Sequence, residues 1–304
     1  MGRLNYSERL LKEQSGAALI LVALSMFMIF SFAAMVVDVG SLYVEKSRLQ
    51  KALDAAVLGG GQVLKVSRTE AKSVGISLAK ENGFSVRPDE VTTGDDFIEI
   101  HKTVNKNLTF ARVLGIHSAE VSAFARAELQ GSLQKGKGVI PVGLDKTDYK
   151  KGALYALNDK PGQGNSGNYG YLAIDGNGAN VLGTGIKYGS QKTVEVGKNV
   201  LSEPGQNWGK VEEGFEYRVE EDRKNNPKCS SYEKADKTCK RVVIVPLVDD
   251  FKNGRSEVEV LGFAAFWIDS IHKHEINGRF IEIVSGGTFG PGEDYGIHGV
   301  KLVN

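Results

Sequence analysis

Few residues in this sequence form patterns that could do chemistry, and each pattern falls short of a site. His272-Lys273-His274-Glu275 puts two imidazoles on the same side of an extended segment. A metal ion needs a third and usually a fourth ligand, and the sequence does not locate them. A solvated polar turn between strands accounts for these residues. Asp175-Gly176-Asn177-Gly178 opens like a calcium loop, but its fifth position is Ala179 and its twelfth is Ile186, where a glutamate should close the coordination shell. A tight turn is expected there. Gly286-Gly287-Thr288-Phe289-Gly290-Pro291-Gly292 is glycine-rich, yet it lacks the Gly-Lys-Ser/Thr ending of a phosphate loop. Ser202-Glu203-Pro204-Gly205 reads as a turn. Neither Gly-x-Ser-x-Gly nor His-Glu-x-x-His occurs, and no Cys/His pair sits in a recognisable motif. These patterns point away from an enzyme and imply no catalytic residue, cofactor or metal. An unrecognised enzyme site would show only as titratable groups converging in a pocket.

Cys229 and Cys239 bracket a polar loop, CSSYEKADKTC. Outside the cell they would form a local disulfide, which in the chain-entropy model contributes about 2–3 kcal/mol. The alternative is two free surface thiols. Phe263, Phe266 and Trp267 lie in an alternating segment and read as core rather than as a ligand-binding aromatic face.

The elements that must position any site begin with an apolar run. Ala17 to Val37 is 21 residues without charge, proline or glycine, and only Ser25 and Ser31 are polar. As a helix such a run spans about 30 Å, the hydrocarbon thickness of a bilayer. Arg3, Arg9 and Lys12 precede it; Lys46, Arg48 and Lys51 follow it. The balance of flanking charge is nearly even, so the short leading flank and the long following domain decide the expected topology: N-terminus inside, domain outside. Three fates compete. The run stays as a signal anchor, is cleaved after the small-x-small site Ser31-Phe32-Ala33, or is cut like a prepilin at Gly16. The secretory reading is weakened because the apolar stretch continues to Val37. The prepilin reading is weakened by Leu21 at the position where processed pilins carry glutamate.

Asp38 stands at the end of the run. An acid there is costly unless solvated in the headgroup region or paired with a cation. Val39, Leu42, Leu49, Leu53 and Ala56 then recur at helical steps, with Glu45, Lys46, Arg48, Lys51 and Asp54 on other faces. This predicts one continuous helix of roughly 40 residues, half in lipid and half in water, ended by Gly59-Gly60-Gly61. The apolar stripe must be covered either by the protein's own domain or by another helix. Asp38, Leu42, Leu49 and Leu53 are therefore the candidate helix-partner interface, and Leu49→Asp is expected to weaken co-purification with a partner while sparing membrane insertion.

The remainder reads as α+β. Thr69 to Asn82 is a helix stopped by Gly83; Phe97 to His101 a strand; Leu108 to Leu114 a short helix ended by Gly115; Val121 to Leu129 a strand. Gly131 to Gly138 is small and polar and reads as a linker. Beyond it the candidate strands are Val139–Leu144, Tyr169–Ile174, Thr193–Val196, Phe215–Val219, Arg241–Val248, Glu257–Ile268 and Arg279–Ile283. Pro246 places its strand at an edge or beside a bulge. The expected division is 1–62 membrane anchor and extended helix, 63–130 small α/β region, 131–138 linker, and 139–304 β-rich extracytoplasmic domain. Lys and Arg, at 38, balance Asp and Glu, at 37, and no basic patch with interleaved aromatics suggests nucleic acid. Glycine is high, at 37 residues in 304 against an average near 7%, and concentrates after residue 130, where turns abound.

Gly16, Asp38-Val39-Gly40, Tyr43, Arg48-Leu49-Gln50 and Asp54-Ala55-Ala56-Val57-Leu58-Gly59 recur at the offsets of a known family. Gly16 to Gln62 resembles the N-terminal membrane segment of the TadE/TadG-like Flp (tight adherence) pilus-assembly proteins. Val121–Ala127 (VSAFARA) also looks like the strand that closes the small α/β piece of TadG-like chains, so the resemblance covers about residues 1–130. The Asp-x-Ser-x-Ser metal motif of some larger TadG-like proteins is absent. The resemblance implies a single-pass membrane component of a Flp pilus or related secretion machine. Its partners would be lipid and other Tad or pilin proteins, met through the N-terminal helix, where Asp38 could pair with a neighbouring cation or a pilin's free amine. The alternative is an anchored or secreted extracellular binding module, such as an adhesin or cell-wall-associated protein.

Overall fold

The computed structural model describes residues 6–146, 152–157, 170–205, 207–252, 254–272 and 274–303, with side chains described from residue 16 onward. Arg3, Arg9, Lys12, Tyr169 and Lys273, which figured in the reading above, lie outside the described residues or side chains. The fold is α+β, and two compact units account for it: the chain to Leu53 with His101–Phe124, and Asp54–Ile100 with Ala125–Asn304.

The first unit is built on helix α1, which runs unbroken over Tyr6–Gly61. Among the described residues this is the one helix long and apolar enough to cross a membrane; its most apolar stretch has a mean hydropathy of 2.6 and no buried residue. Ser25 and Ser31 turn their hydroxyls back onto the carbonyls of Leu21 and Phe27, both at 2.8 Å. The run's polar side chains are thus satisfied within the helix.

The end of α1 belongs to the second unit, and the glycine triplet there acts differently from the expected cap. Gly59, Gly60 and Gly61 remain helical and none has a positive φ. They permit close approach instead. A Cβ on Gly60 would sit 2.7 Å from the carbonyl oxygen of Ala71, and one on Gly61 would meet Val300 at 3.0 Å. Helix α2 (Arg68–Glu81) supplies the facing small residues Ala71, Gly75 and Ala79. Its first turn is capped by the Ser67 hydroxyl, which accepts from the Glu70 N–H, and the chain leaves it through Gly83 in the left-handed region, φ 92°.

One sheet has the order β1-β2-β3-β14-β12, from β1 (Val91–Thr93), β2 (Phe97–Asn107), β3 (Ser118–Gln130), β12 (Ile283–Val284) and β14 (Ile297–Val303). β14 lies antiparallel to β3, with Gly299 opposite Gln130 and Val303 opposite Arg126. The expected short helix over Leu108–Leu114 is a 3-10 turn at Ala111–Leu114, closed by Gly115 at φ 84°. The stretch 131–138 holds strand β4 (Leu133–Gly136), with Leu133 buried. β4 pairs with β13 (Thr288–Phe289) and β7 (Val194–Glu195).

The largest sheet has the order β5-β9-β10-β11-β6, from β5 (Leu144–Asp145), β6 (Leu154–Ala156), β9 (Val242–Val248), β10 (Glu257–His272) and β11 (Glu275–Ile281), with β8 (Asn199–Leu201) also on β10. Both faces are covered, which explains the apolar run in β9. Val243, Val245, Leu247, Ala264, Phe266 and Ile268 face one core; Phe263, Ala265 and Trp267 face the other, where the disulfide lies. Pro246 lies opposite Phe263, and β10 bulges nearby, between Val260 and Gly262. Helices α3 (Ala179–Tyr188) and α4 (Trp208–Asn225) cover the first face. α4 replaces the strand expected at Phe215–Val219. Val211, Gly214, Phe215, Arg218 and Asp222 are its buried positions, and Val211, Phe215, Arg218 and Asp222 recur at steps of four, three and four, so the local alternation in Phe-Glu-Tyr-Arg-Val gave way to a longer helical period. Among the described residues of Val139–Leu144 and Tyr169–Ile174, only the isolated bridges of Val142 to Tyr171 and of Leu172 to Ser202, and Leu144 in β5, form ladder.

Candidate functional site

Asp38 is the polar residue around which the first unit is organised. It follows Val37, the last residue of the apolar run, and is 5% exposed. Its carboxylate takes three successive backbone N–H groups from the turn joining β2 to β3. Thr109 donates to Oδ1 at 2.7 Å, Ala111 to Oδ2 at 2.6 Å, and Phe110 to both, at 3.3 and 3.0 Å. The donors are the free N–H groups that open the 3-10 turn Ala111–Leu114, so Asp38 caps that turn from a distant part of the chain. Burial pushes the Asp38 carboxyl up, but the bonds from Ala111, Thr109 and Phe110 outweigh it and hold the group below the ordinary aspartate value.

The hairpin then follows α1 residue by residue. Glu45 pairs with Lys106 at 3.0 Å. Lys46 donates to the carbonyl of Ser122, and Gln50 to that of Phe124 at 2.8 Å. Asp38 and Glu45, seven residues apart, lie on one face of the helix, and Lys46 and Gln50, four apart, on the adjoining one. The acid thus meets backbone donors, and the Lys46 and Gln50 donors meet backbone carbonyls, a pairing that needs no particular side chain from the hairpin except Lys106.

Within the chain, Asp38 is buried and backbone N–H groups take its charge. Leu49 and Leu53 are fully buried within the chain, and Leu42 is half-buried. Two of the leucines offered to a partner helix are therefore already covered, while Val39, from the same stripe, is 58% exposed. Sequence reasoning missed Thr109, Phe110 and Ala111 because they act through their backbone. A polar residue at the hydrocarbon exit was the only signal, and it names a need rather than a partner.

The other residues considered for chemistry have structural occupations. Asp175 accepts the backbone N–H groups of Gln191 and Lys192 at 2.9–3.0 Å, which ties the segment after α3 to the one before it. His272 lies opposite Glu275 in the β10–β11 hairpin, and His274 packs against the Trp208 ring, with centroids 4.7 Å apart. Cys229 and Cys239 are joined in a disulfide and buried; Trp267 donates its indole N–H to the carbonyl of Cys229 at 2.9 Å. Phe263, Phe266 and Trp267 are core. Asp222 accepts from the N–H groups of Lys240 and Arg241, beside Arg218, whose guanidinium burial pushes down to about 10 against the attraction of Asp222. The sequence did not flag His298, which is buried with Nε2 3.8 Å from carboxylate oxygens of both Glu282 and Asp294.

No curated protein and no solved structure matches the chain. The family model Tad, described as putative Flp pilus-assembly TadE/G-like, matches residues 16–63, the segment that carries the apolar run, Asp38 and the buried leucines. Over that segment, and not beyond it, the chain is similar to the TadE/G-like Flp pilus-assembly family.

Proposed function

We propose that this protein is a membrane-anchored, non-enzymatic component of the assembly of a Flp (Tad) pilus or a related secretion apparatus. The observation that carries the reading is the Tad segment at 16–63, with its apolar run and its acid at the exit. The helix would cross the membrane once with its leading end inside, and the body built from the later residues would lie on the outer side. A disulfide between buried cysteines suits an oxidising compartment. With Leu49 and Leu53 covered, the helix surface left for pilin or platform helices is the run, where Phe27, Phe30 and Phe32 are each about two-thirds exposed, and the exposed residues just past it, Val39 and Tyr43.

The test is deletion with complementation. Cells lacking the protein should lose surface pilin while keeping pilin inside, and the full chain should restore it. A chain whose Ala17–Val37 run is replaced by a cleavable secretion signal should not. Normal piliation in the deletion strain would overturn the assembly reading, and binding of a surface ligand by cells carrying the full chain but not by the deletion strain would then favour a displayed binding module.

A further inference from the structure

The turn that Asp38 holds carries an apolar tip. Phe110 is 45% exposed, Val113 88%, Leu114 81% and Ile116 53%. Hairpin turns facing water are usually built from Gly, Asn, Asp, Pro and Ser, and four large apolar side chains within seven residues form a patch that asks for a partner. The position of the patch supplies one. Its backbone is bonded through Thr109, Phe110 and Ala111 to the side chain of the residue that follows the apolar run. The tip therefore stands at the depth where α1 leaves hydrocarbon. Arg112, exposed within the tip, is placed to meet headgroup phosphates, and Tyr43, 75% exposed on the helix about 7 Å further out, suits the headgroup level.

We propose that residues 110–116 are a second membrane contact, an apolar wedge seated in the interface of the same bilayer that α1 crosses. The inference rests on the reading of α1 as a membrane helix and adds to it. The occupant is lipid, because the patch continues the lipid-facing surface of the run rather than facing a separate groove. Two attachments, joined by the Asp38 bonds, would fix the tilt and rotation of the helix as it emerges, which one span alone does not. The wedge needs no particular orientation of the chain across the membrane, since the tip follows Asp38 to either side.

Nitroxide labels on the full chain, with its native disulfide intact, test this in nanodiscs of phosphatidylethanolamine and phosphatidylglycerol. One label goes on Leu114→Cys and one on Leu24→Cys, within the run. Both positions are exposed, so neither substitution disturbs packing. Collision with oxygen, which partitions into lipid, is compared with collision with a water-soluble nickel chelate. The expected result is an oxygen-to-nickel ratio several-fold above that of the free label at both positions, higher at Leu24→Cys. A lipid-like ratio at Leu24→Cys with a water-like ratio at Leu114→Cys would overturn the wedge and leave the anchor standing. Low collision with both reagents at Leu114→Cys would mean that protein covers the tip, and would also overturn the wedge. A water-like ratio at Leu24→Cys would overturn the anchor itself, and the wedge with it.

Discussion

A carboxylate at the end of a long apolar helical run has to find positive potential, and within the chain Asp38 finds it in three N–H groups. Asp38→Asn keeps one acceptor oxygen and loses the charge, and Asp38→Ala loses both. Hydrogen exchange at Thr109, Phe110 and Ala111 should therefore quicken modestly in the first and by at least tenfold in the second, while amides of α4 keep their protection. The pH dependence has a definite sign. Because the folded protein holds Asp38 below the ordinary aspartate value of about 3.9, the cap is fully present above that value and is lost only as pH falls through the lowered one. Exchange at Ala111, corrected for the intrinsic rate, should be flat from pH 7 to 5. Loss of protection within that range would contradict the assignment. Leu49 carries a different lesson. It was legible as part of an apolar stripe, but the sequence left open whether the chain or a partner covers it. Since it is fully buried, Leu49→Asp places an unpaired charge inside the protein and should lower stability by upward of about 3 kcal/mol, measured by thermal unfolding of the detergent-solubilised chain. Loss of a partner from that variant would then report unfolding.

Helix α1 was legible because its signal is long: an apolar run followed by a stripe at helical steps. Its ending was misread, since a glycine triplet has two uses, release of φ and removal of Cβ, and only the facing elements decide between them. Gly60 lies against the carbonyl of Ala71 and the end of Ile98, so Gly60→Ala should cost about 1–3 kcal/mol. Gly40, on the same helix, has no atom within 4 Å of a built Cβ, so Gly40→Ala should be neutral or stabilise by up to about 1 kcal/mol. Unfolding temperatures of the two variants in one detergent check the contrast, and equal effects would refute the close-approach account. The same limit explains α4. Phe215–Val219 alternates over five residues like a strand, and only the wider spacing of Val211, Phe215, Arg218 and Asp222 shows the helix. The β10 strand, by contrast, was legible over most of its length because Glu257–Val260 alternates and a continuous apolar stretch follows it.

Pairings between distant parts of the chain were the least legible. Nothing local in Gly299–Val303 announces that these residues lie along β3, or that β4 would form within a stretch read as linker. The disulfide is the exception, since its two cysteines lie in one loop and had no other partners. Replacing Cys229 and Cys239 together by alanine should remove about 2–3 kcal/mol by the chain-entropy account. The loss should be seen as a lower unfolding temperature that reductant reproduces in the unmodified protein. The proposed role depends on the chain remaining in the membrane as a single piece, and the most direct measurement is the mass of the mature protein from membrane, sheared-surface and medium fractions. The account predicts protein retaining the residues before Gly16, found in the membrane fraction alone. A form beginning at Ala17 in the sheared fraction would make it a processed pilin within the filament, and a form beginning near Ala34 in the medium would make it a secreted protein; either result contradicts the anchor.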